Sequence, residues 1–137
     1  MKSFHCIIDK SGSMSILDKD VIINNLKRTM NQVSEYLSED EKFEMIDIDW
    51  DGKSESLFPL ISKNNIEKFM LMTDGYGLDL YYNNLLKKKE LQKQLFDTGV
   101  IGCIVLVGID SNEERVPVIE TFPAYCILEA LNYVLQK

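Results

Sequence analysis

The stretch Phe4-His5-Cys6-Ile7-Ile8-Asp9-Lys10-Ser11-Gly12-Ser13-Met14 decides the fold. Phe4 to Ile8 is a continuous, β-prone apolar run, and the polar string Asp9-Lys10-Ser11-Gly12-Ser13 ends it. A strand that is apolar on both faces is buried on both, as in parallel sheets covered by helices on each side. The figure recurs twice. Phe69 to Met72 is closed by Thr73-Asp74-Gly75-Tyr76-Gly77, and Val100 to Val107 is closed by Gly108. Helical periods lie between and after these runs. Ile23, Leu26, Met30, Val33 and Leu37 recur at steps of three and four from about Asp18, with Asp18 or Ser15 as the cap. A second helix is expected from about Leu80 to Phe96, with Leu85, Leu91 and Leu95 inward and Lys87 to Lys89 solvated. A third starts at Pro123 and carries Ala124, Ile127, Leu128, Leu131, Val134 and Leu135 on one face. Buried strands alternating with amphipathic helices predict an α/β class, a Rossmann-like, doubly wound, mostly parallel sheet.

One segment reads differently. Between Phe43 and Trp50 the period is two, with Ile46, Ile48 and Trp50 on a dry face and Met45, Asp47 and Asp49 on a wet one, which suits a strand at the sheet edge. Asp51-Gly52 is a hairpin signal, so Ser54 to Ile61 is expected to return as an antiparallel edge strand, with Pro59 confined to its edge. A short strand is expected at Val116 to Glu120.

The 137 residues fit a single domain spanning 1–137, and 45% hydrophobic with 27% charged residues is a globular balance. Against 22 acidic residues stand 15 basic ones, a net charge of −7 that repels a phosphate backbone or an anionic lipid surface, so neither nucleic acid nor membrane is the expected partner. Cys6, Cys103 and Cys126 are odd in number and lack CxxC spacing, which points away from a disulfide framework or a zinc site. The five-residue apolar run near the start is too short for a signal-peptide core, and no run reaches the length of a membrane span. The expected setting is a reducing cytoplasm.

Open parallel sheets bind ligands beyond the carboxyl ends of their strands. There Asp9, Ser11 and Ser13 place a carboxylate and two hydroxyls at i, i+2 and i+4 around Gly12, and Asp74 adds a carboxylate from another strand end. Oxygen ligands without histidine or thiolate suit a hard cation, Mg²⁺ or Mn²⁺, or Ca²⁺ at longer bonds. Neutral serines cancel little of its charge, which leaves it electrophilic towards a partner's carboxylate.

The string Ile8-Asp9-Lys10-Ser11-Gly12-Ser13-Met14 resembles the DxSxS signature of the von Willebrand factor A domain, and Met72-Thr73-Asp74-Gly75 is similar to that family's second aspartate loop. The resemblance covers nearly the whole chain in element order. It implies a doubly wound sheet with an edge hairpin and a metal-ion-dependent adhesion site, in which Ser11 and Ser13 coordinate directly and Asp9 and Asp74 act directly or through water. Only Asp51 to Lys68 separate Trp50 from Phe69, so the family's metal-binding threonine loop and its helices are expected to be missing. Ser62, or else Ser54 or Ser56, is the candidate replacement, and ion binding in the free protein is expected to be weak.

Blander readings exist for other residues. Asp47-Ile48-Asp49-Trp50-Asp51-Gly52 opens like an EF-hand loop, but its twelfth position is Phe58, not glutamate. His5 has no second histidine beside it, and the cysteines have no positioned base, so core filling is their default.

The leading functional reading is a non-enzymatic intracellular adaptor. It docks an acidic residue of another protein through the ion, with Lys10, Met14, Tyr76 and Leu78 framing the insertion. Short free-standing bacterial domains that this chain resembles, those of tellurium-resistance and conflict systems, imply an ATPase, kinase or phosphatase as partner. The alternatives are a Mg²⁺-dependent phosphoryl-transfer enzyme with Asp9 as nucleophile, against which Ser11 stands where haloacid-dehalogenase-type phosphatases carry an aspartate, and a degenerate metal-free scaffold.

Overall fold

In the computed structural model, which describes residues 2–117 and 119–136, the three apolar runs form the middle of one sheet. The strands are β1 (Lys2–Asp9), β2 (Phe43–Trp50), β3 (Lys68–Thr73), β4 (Ile101–Leu106) and β5 (Glu120–Pro123). They pair in the order β2-β1-β3-β4-β5, and each pairing is parallel. The helices among the described residues are α1 (Lys19–Glu35), α2 (Leu57–Lys63), α3 (Tyr76–Tyr81), α4 (Leu85–Thr98) and α5 (Ile127–Gln136).

Side chains alternate across each strand, so each strand feeds two cores. Cys6, Ile8, Met70, Met72, Cys103 and Val105 pack with Ile23 and Met30 of α1 and with Ala130, Leu131 and Val134 of α5. Their neighbours Ile7, Phe69, Leu71, Ile104 and Leu106 pack on the other face with Leu57, Leu60 and Ile61 of α2, Leu78 of α3, and Leu91 and Leu95 of α4. The fold is a doubly wound α/β sheet, as the apolar runs imply. No helix among the described residues is long and apolar enough to cross a membrane.

The edge hairpin is corrected. Gly52 does turn the chain, at φ +71°, but it leads into α2 instead of a return strand, and the sheet is wholly parallel. Leu57, Leu60 and Ile61 have the spacing of one helical face and are buried together. Pro59 sits within the first turn of α2, where the backbone N–H it lacks would have had no partner in the helix. The stretch expected to lack helices between β2 and β3 therefore holds one.

Four smaller expectations shift. The helix expected from Leu80 to Phe96 is two helices, broken before Asn84, whose side chain accepts the Lys87 N–H at 2.9 Å and so starts α4. Leu85, expected inward, is 60% exposed because it precedes the turn of α4 that reaches the core. The fifth strand lies at Glu120–Pro123, later than expected, and Val118 of the expected segment is outside the described residues. In β2 the expected dry face is only half dry: Trp50 is buried, Ile46 is exposed, and Met45 of the expected wet face packs against the α1 core. An edge strand is covered unevenly on both faces.

Candidate functional site

After β1 the chain turns through α1 to β2 on one side. After β3 it turns through α3 and α4 to β4 on the other. The connections diverge between β1 and β3, and that is where an open α/β sheet holds its ligands. Asp9 ends β1, and Asp74 directly follows β3, so the topology brings together the two carboxylates singled out in the sequence.

Both are completely buried. Asp9 accepts the Ser11 N–H on Oδ1 at 2.8 Å and the Thr73 hydroxyl on Oδ2 at 2.6 Å. Gly52 and Gly77 roof it. A Cβ on Gly77 would stand 2.9 Å from Asp9 Oδ2 and 3.3 Å from Ser11 Oγ, and one on Gly52 would stand 3.1 Å from Ser11 Cβ, so the backbone approaches this closely only because both positions lack a side chain. Burial pushes the Asp9 carboxyl above the usual carboxylate range, in part offset by its bonds from Thr73 and Ser11; the Asp74 charge adds to the upward push.

Asp74 accepts the Tyr76 N–H on Oδ1 at 3.0 Å. Its Oδ2 meets a residue that no sequence pattern singled out: the Lys19 ammonium, 2.8 Å away. Lys19 is the first residue of α1 and is also completely buried. The same ammonium donates to the Ser13 carbonyl at 2.9 Å and lies 2.9 Å from the Asp110 carboxylate, whose side chain is 26% exposed in the loop after β4. One cation thus ties together the loops after β1, β3 and β4. Burial alone would lower the Lys19 pKa, but hydrogen bonds to Asp74 and Asp110 and their charges outweigh it and leave it raised.

Ser11 and Ser13 lie in and beside a short 3₁₀ turn, Gly12–Ser15. Ser11 is 9% exposed, and the hydroxyl oxygens of both serines are buried without a hydrogen-bond partner among the described residues. The Ser11 hydroxyl is near enough to Asp9 to favour the charged carboxylate, but it makes no full hydrogen bond to it. An orphaned buried hydroxyl costs free energy unless a ligand meets it. Two of them lie in the loop that follows the buried Asp9, and Ser11, Ser13, Asp9 and Asp74 are the oxygen donors that would hold a hard cation there. Every carboxylate oxygen of Asp9 and Asp74 already carries one bond, and among the described residues no three Asp, Glu, His or Cys side chains cluster as a metal-binding group. Such a site depends on its hydroxyls.

The residues expected to frame a partner separate. Lys10 is exposed, and Tyr76 is 39% exposed with the Arg115 guanidinium 3.5 Å from its ring centroid. Met14 and Leu78 are buried in the two cores and brace the loops from beneath, so they do not frame the surface. In their place Ile16, Leu17, Leu80 and Ile109 are exposed on segments after the strand ends. Leu17 and Asp18 both have left-handed backbone, which strains the loop leading into α1. Asp18 stands at the N-cap of α1 without a side-chain capping bond, and Ser15 donates to the Gly12 carbonyl, so neither supplies the cap expected of it. Ser62, the first candidate for a replacement hydroxyl, lines a hollow with Glu67, Gly99 and Val100 at the opposite ends of the strands and cannot reach the site. Ser54 bonds Asp51, and Ser56 precedes α2. The hydroxyl that meets Asp9 belongs to Thr73, beside Asp74 in the sequence and unmarked by any spacing rule.

No family model and no curated protein matches the chain. Among solved structures it is similar to a crystal structure described as a "putative lipoprotein from Peptoclostridium difficile 630 (fragment)", with a TM-score of 0.54 at 12% identity over 99% of this chain and 96% of that one. At that identity the likeness is one of fold, and it agrees with the α/β sheet described above.

Proposed function

We propose that the protein is a non-enzymatic interaction module of the von Willebrand factor A type, which docks an acidic residue of a partner protein through a divalent ion at the ends of β1 and β3. The observation that carries this reading is the pair of buried hydroxyls of Ser11 and Ser13, unpartnered among the described residues, in the loop that follows Asp9 at the point where the connections diverge. Mg²⁺ or Mn²⁺ suits the all-oxygen donor set, and Ca²⁺ is the softer-fitting alternative. The bound ion would supply a Lewis-acidic position for the partner's carboxylate. Asp9 and Asp74 supply charge, and the serines supply neutral oxygens.

The exposed ring of Tyr76 and the exposed side chains of Ile16, Leu17, Leu80 and Ile109, all on segments after the strand ends, would supply apolar contact for the surface flanking that carboxylate. Full burial of Asp9 beneath Gly52 and Gly77 speaks against its use as a nucleophile towards a phosphate ester, since the attacking oxygen must be reached by the substrate. Three free cysteines, two of them buried, suit a reducing compartment, and an ATPase, kinase or phosphatase of the same system remains the partner class suggested by the resemblance.

A second reading is favoured by Lys19: the buried ammonium serves as the only cation, and the module docks without metal. Titration of the protein with Mn²⁺ by calorimetry separates the two. Saturable binding that Ser11→Ala with Ser13→Ala abolishes is the expected result. No binding up to tens of millimolar refutes the ion-dependent reading in favour of the metal-free one.

A further inference from the structure

We infer that Lys19 is a tethered counter-cation that lowers the affinity of this site for a divalent ion. The inference rests on the ion-dependent reading above. Its ground is the placing of one ammonium within 2.9 Å of Asp74, Asp110 and the Ser13 carbonyl, with the two orphaned serine hydroxyls in the same loop.

Asp74 and Asp110 both contact Lys19, and Asp9 ends the neighbouring strand β1, so three carboxylates and one buried cation lie on the loops at these strand ends. Together they carry two negative charges, which a divalent ion neutralises. Without Lys19 the same ion would meet three negative charges and would be held more tightly. Lys19 also holds Oδ2 of Asp74 directly, so any closer approach of Asp74 to an ion must give up that bond. An ammonium and a divalent ion a few ångströms apart repel each other strongly where water is excluded.

The arrangement exchanges ion affinity for receptivity. A site left neutral by its ion accepts one more carboxylate at less cost than a site already carrying a negative charge. The partner's acidic residue then completes the ion's surroundings, and the free protein holds its ion only loosely. Asp110 strengthens the tether from the exposed side, and the 17 residues of α1 fix the base of the lysine stem. A Cβ on Gly108 would stand 2.6 Å from Lys19 Cε, so the lysine stem passes this close to the loop after β4 only because the position lacks a side chain.

The test is Mn²⁺ titration of the wild-type protein, Lys19→Met and Lys19→Arg by calorimetry, with Mn²⁺ alone as the probe. Lys19→Met keeps the length of the stem without the charge and is expected to bind at least tenfold more tightly. Lys19→Arg keeps the charge and is expected to stay within about threefold of wild type. Equal or weaker binding by Lys19→Met, with wild type binding normally, overturns this inference and leaves the ion-dependent reading standing. Absence of binding in wild type and both variants overturns both. Should Lys19→Met fail to fold, the ¹⁵N resonance of the Lys19 ammonium in wild-type protein decides: it is expected to shift as Mg²⁺ is added, and a resonance that stays in place while Mg²⁺ saturates the protein overturns the inference.

Discussion

Replacing Lys19 by Met in metal-free buffer should destabilise the fold severely, and the size of the loss follows from burial. Lys19 and Asp74 have no exposed side-chain surface, and their contact is 2.8 Å. Removing one member of a buried ion pair leaves the other charge unpaired, which costs about 3–5 kcal/mol. With about 2 cal/mol/K of unfolding entropy per residue, a chain of 137 residues loses about 3.5 °C of Tm per kcal/mol. Lys19→Met should therefore melt about 10–17 °C below wild type when followed by circular dichroism in EDTA. The charge left behind is the cause, so Lys19→Met with Asp74→Asn should recover a large part of the loss, because Asn can still accept the Tyr76 N–H that now bonds Asp74. The exposed i,i+4 pair of Lys93 and Asp97 is the control, and Lys93→Met should leave Tm nearly unchanged. A double variant as unstable as the sum of the two single ones would refute the reasoning, since the loss would then lie in packing of the lysine stem and not in the orphaned carboxylate.

Gly102→Ala tests the register of the central strands: Gly102 is paired with Phe69 across β3 and β4, and a Cβ there would lie 2.0 Å from the Phe69 ring. Because Phe69 is fully buried, the substitution should cost about 3 kcal/mol, the upper end of the usual overpacking range, and Phe69→Leu in the same chain should recover part of it; a neutral Gly102→Ala would show that the ring is not held against this glycine. Thiol labelling of the native protein should modify Cys126 alone, because burial pushes Cys6 and Cys103 up to about 12 and closes both off from reagent. Reaction of all three at one rate before unfolding would show that the sheet opens in the native state.

The parts of the fold legible in the sequence were those whose signal is local. β1, β3 and β4 are apolar on consecutive residues because helices cover both faces of each, and that condition writes itself into the composition of the strand. α1 and α5 show their buried faces at helical spacing. The segment after β2 misled because two signals competed within a dozen residues. Asp51-Gly52 and Pro59 suggest a hairpin with an edge strand, while Leu57, Leu60 and Ile61 form a helical face. The helix wins since three apolar side chains over Trp50 and Phe69 bury more than an edge strand bearing Pro59 could, and since β2 to β3 in parallel requires a crossover.

The site was legible in its carboxylates and hydroxyls and illegible in its cation. Asp9, Ser11 and Ser13 announce themselves by spacing, and Asp74 by its place after an apolar strand. Lys19 stands in the string Leu17-Asp18-Lys19-Asp20, which has the look of solvated charge, and nothing local distinguishes it from Lys10. Its burial is decided by where α1 begins. The left-handed residues Leu17 and Asp18 turn the chain so that the first side chain of the helix enters the space between the ends of β3 and β4, where Asp74 and Asp110 meet it. A short change of loop length before α1 would carry Lys19 elsewhere on the helix and leave Asp74 without its partner. The charge balance of the site, and with it the strength of any ion bound there, is thus set by the length of a loop that coordinates nothing.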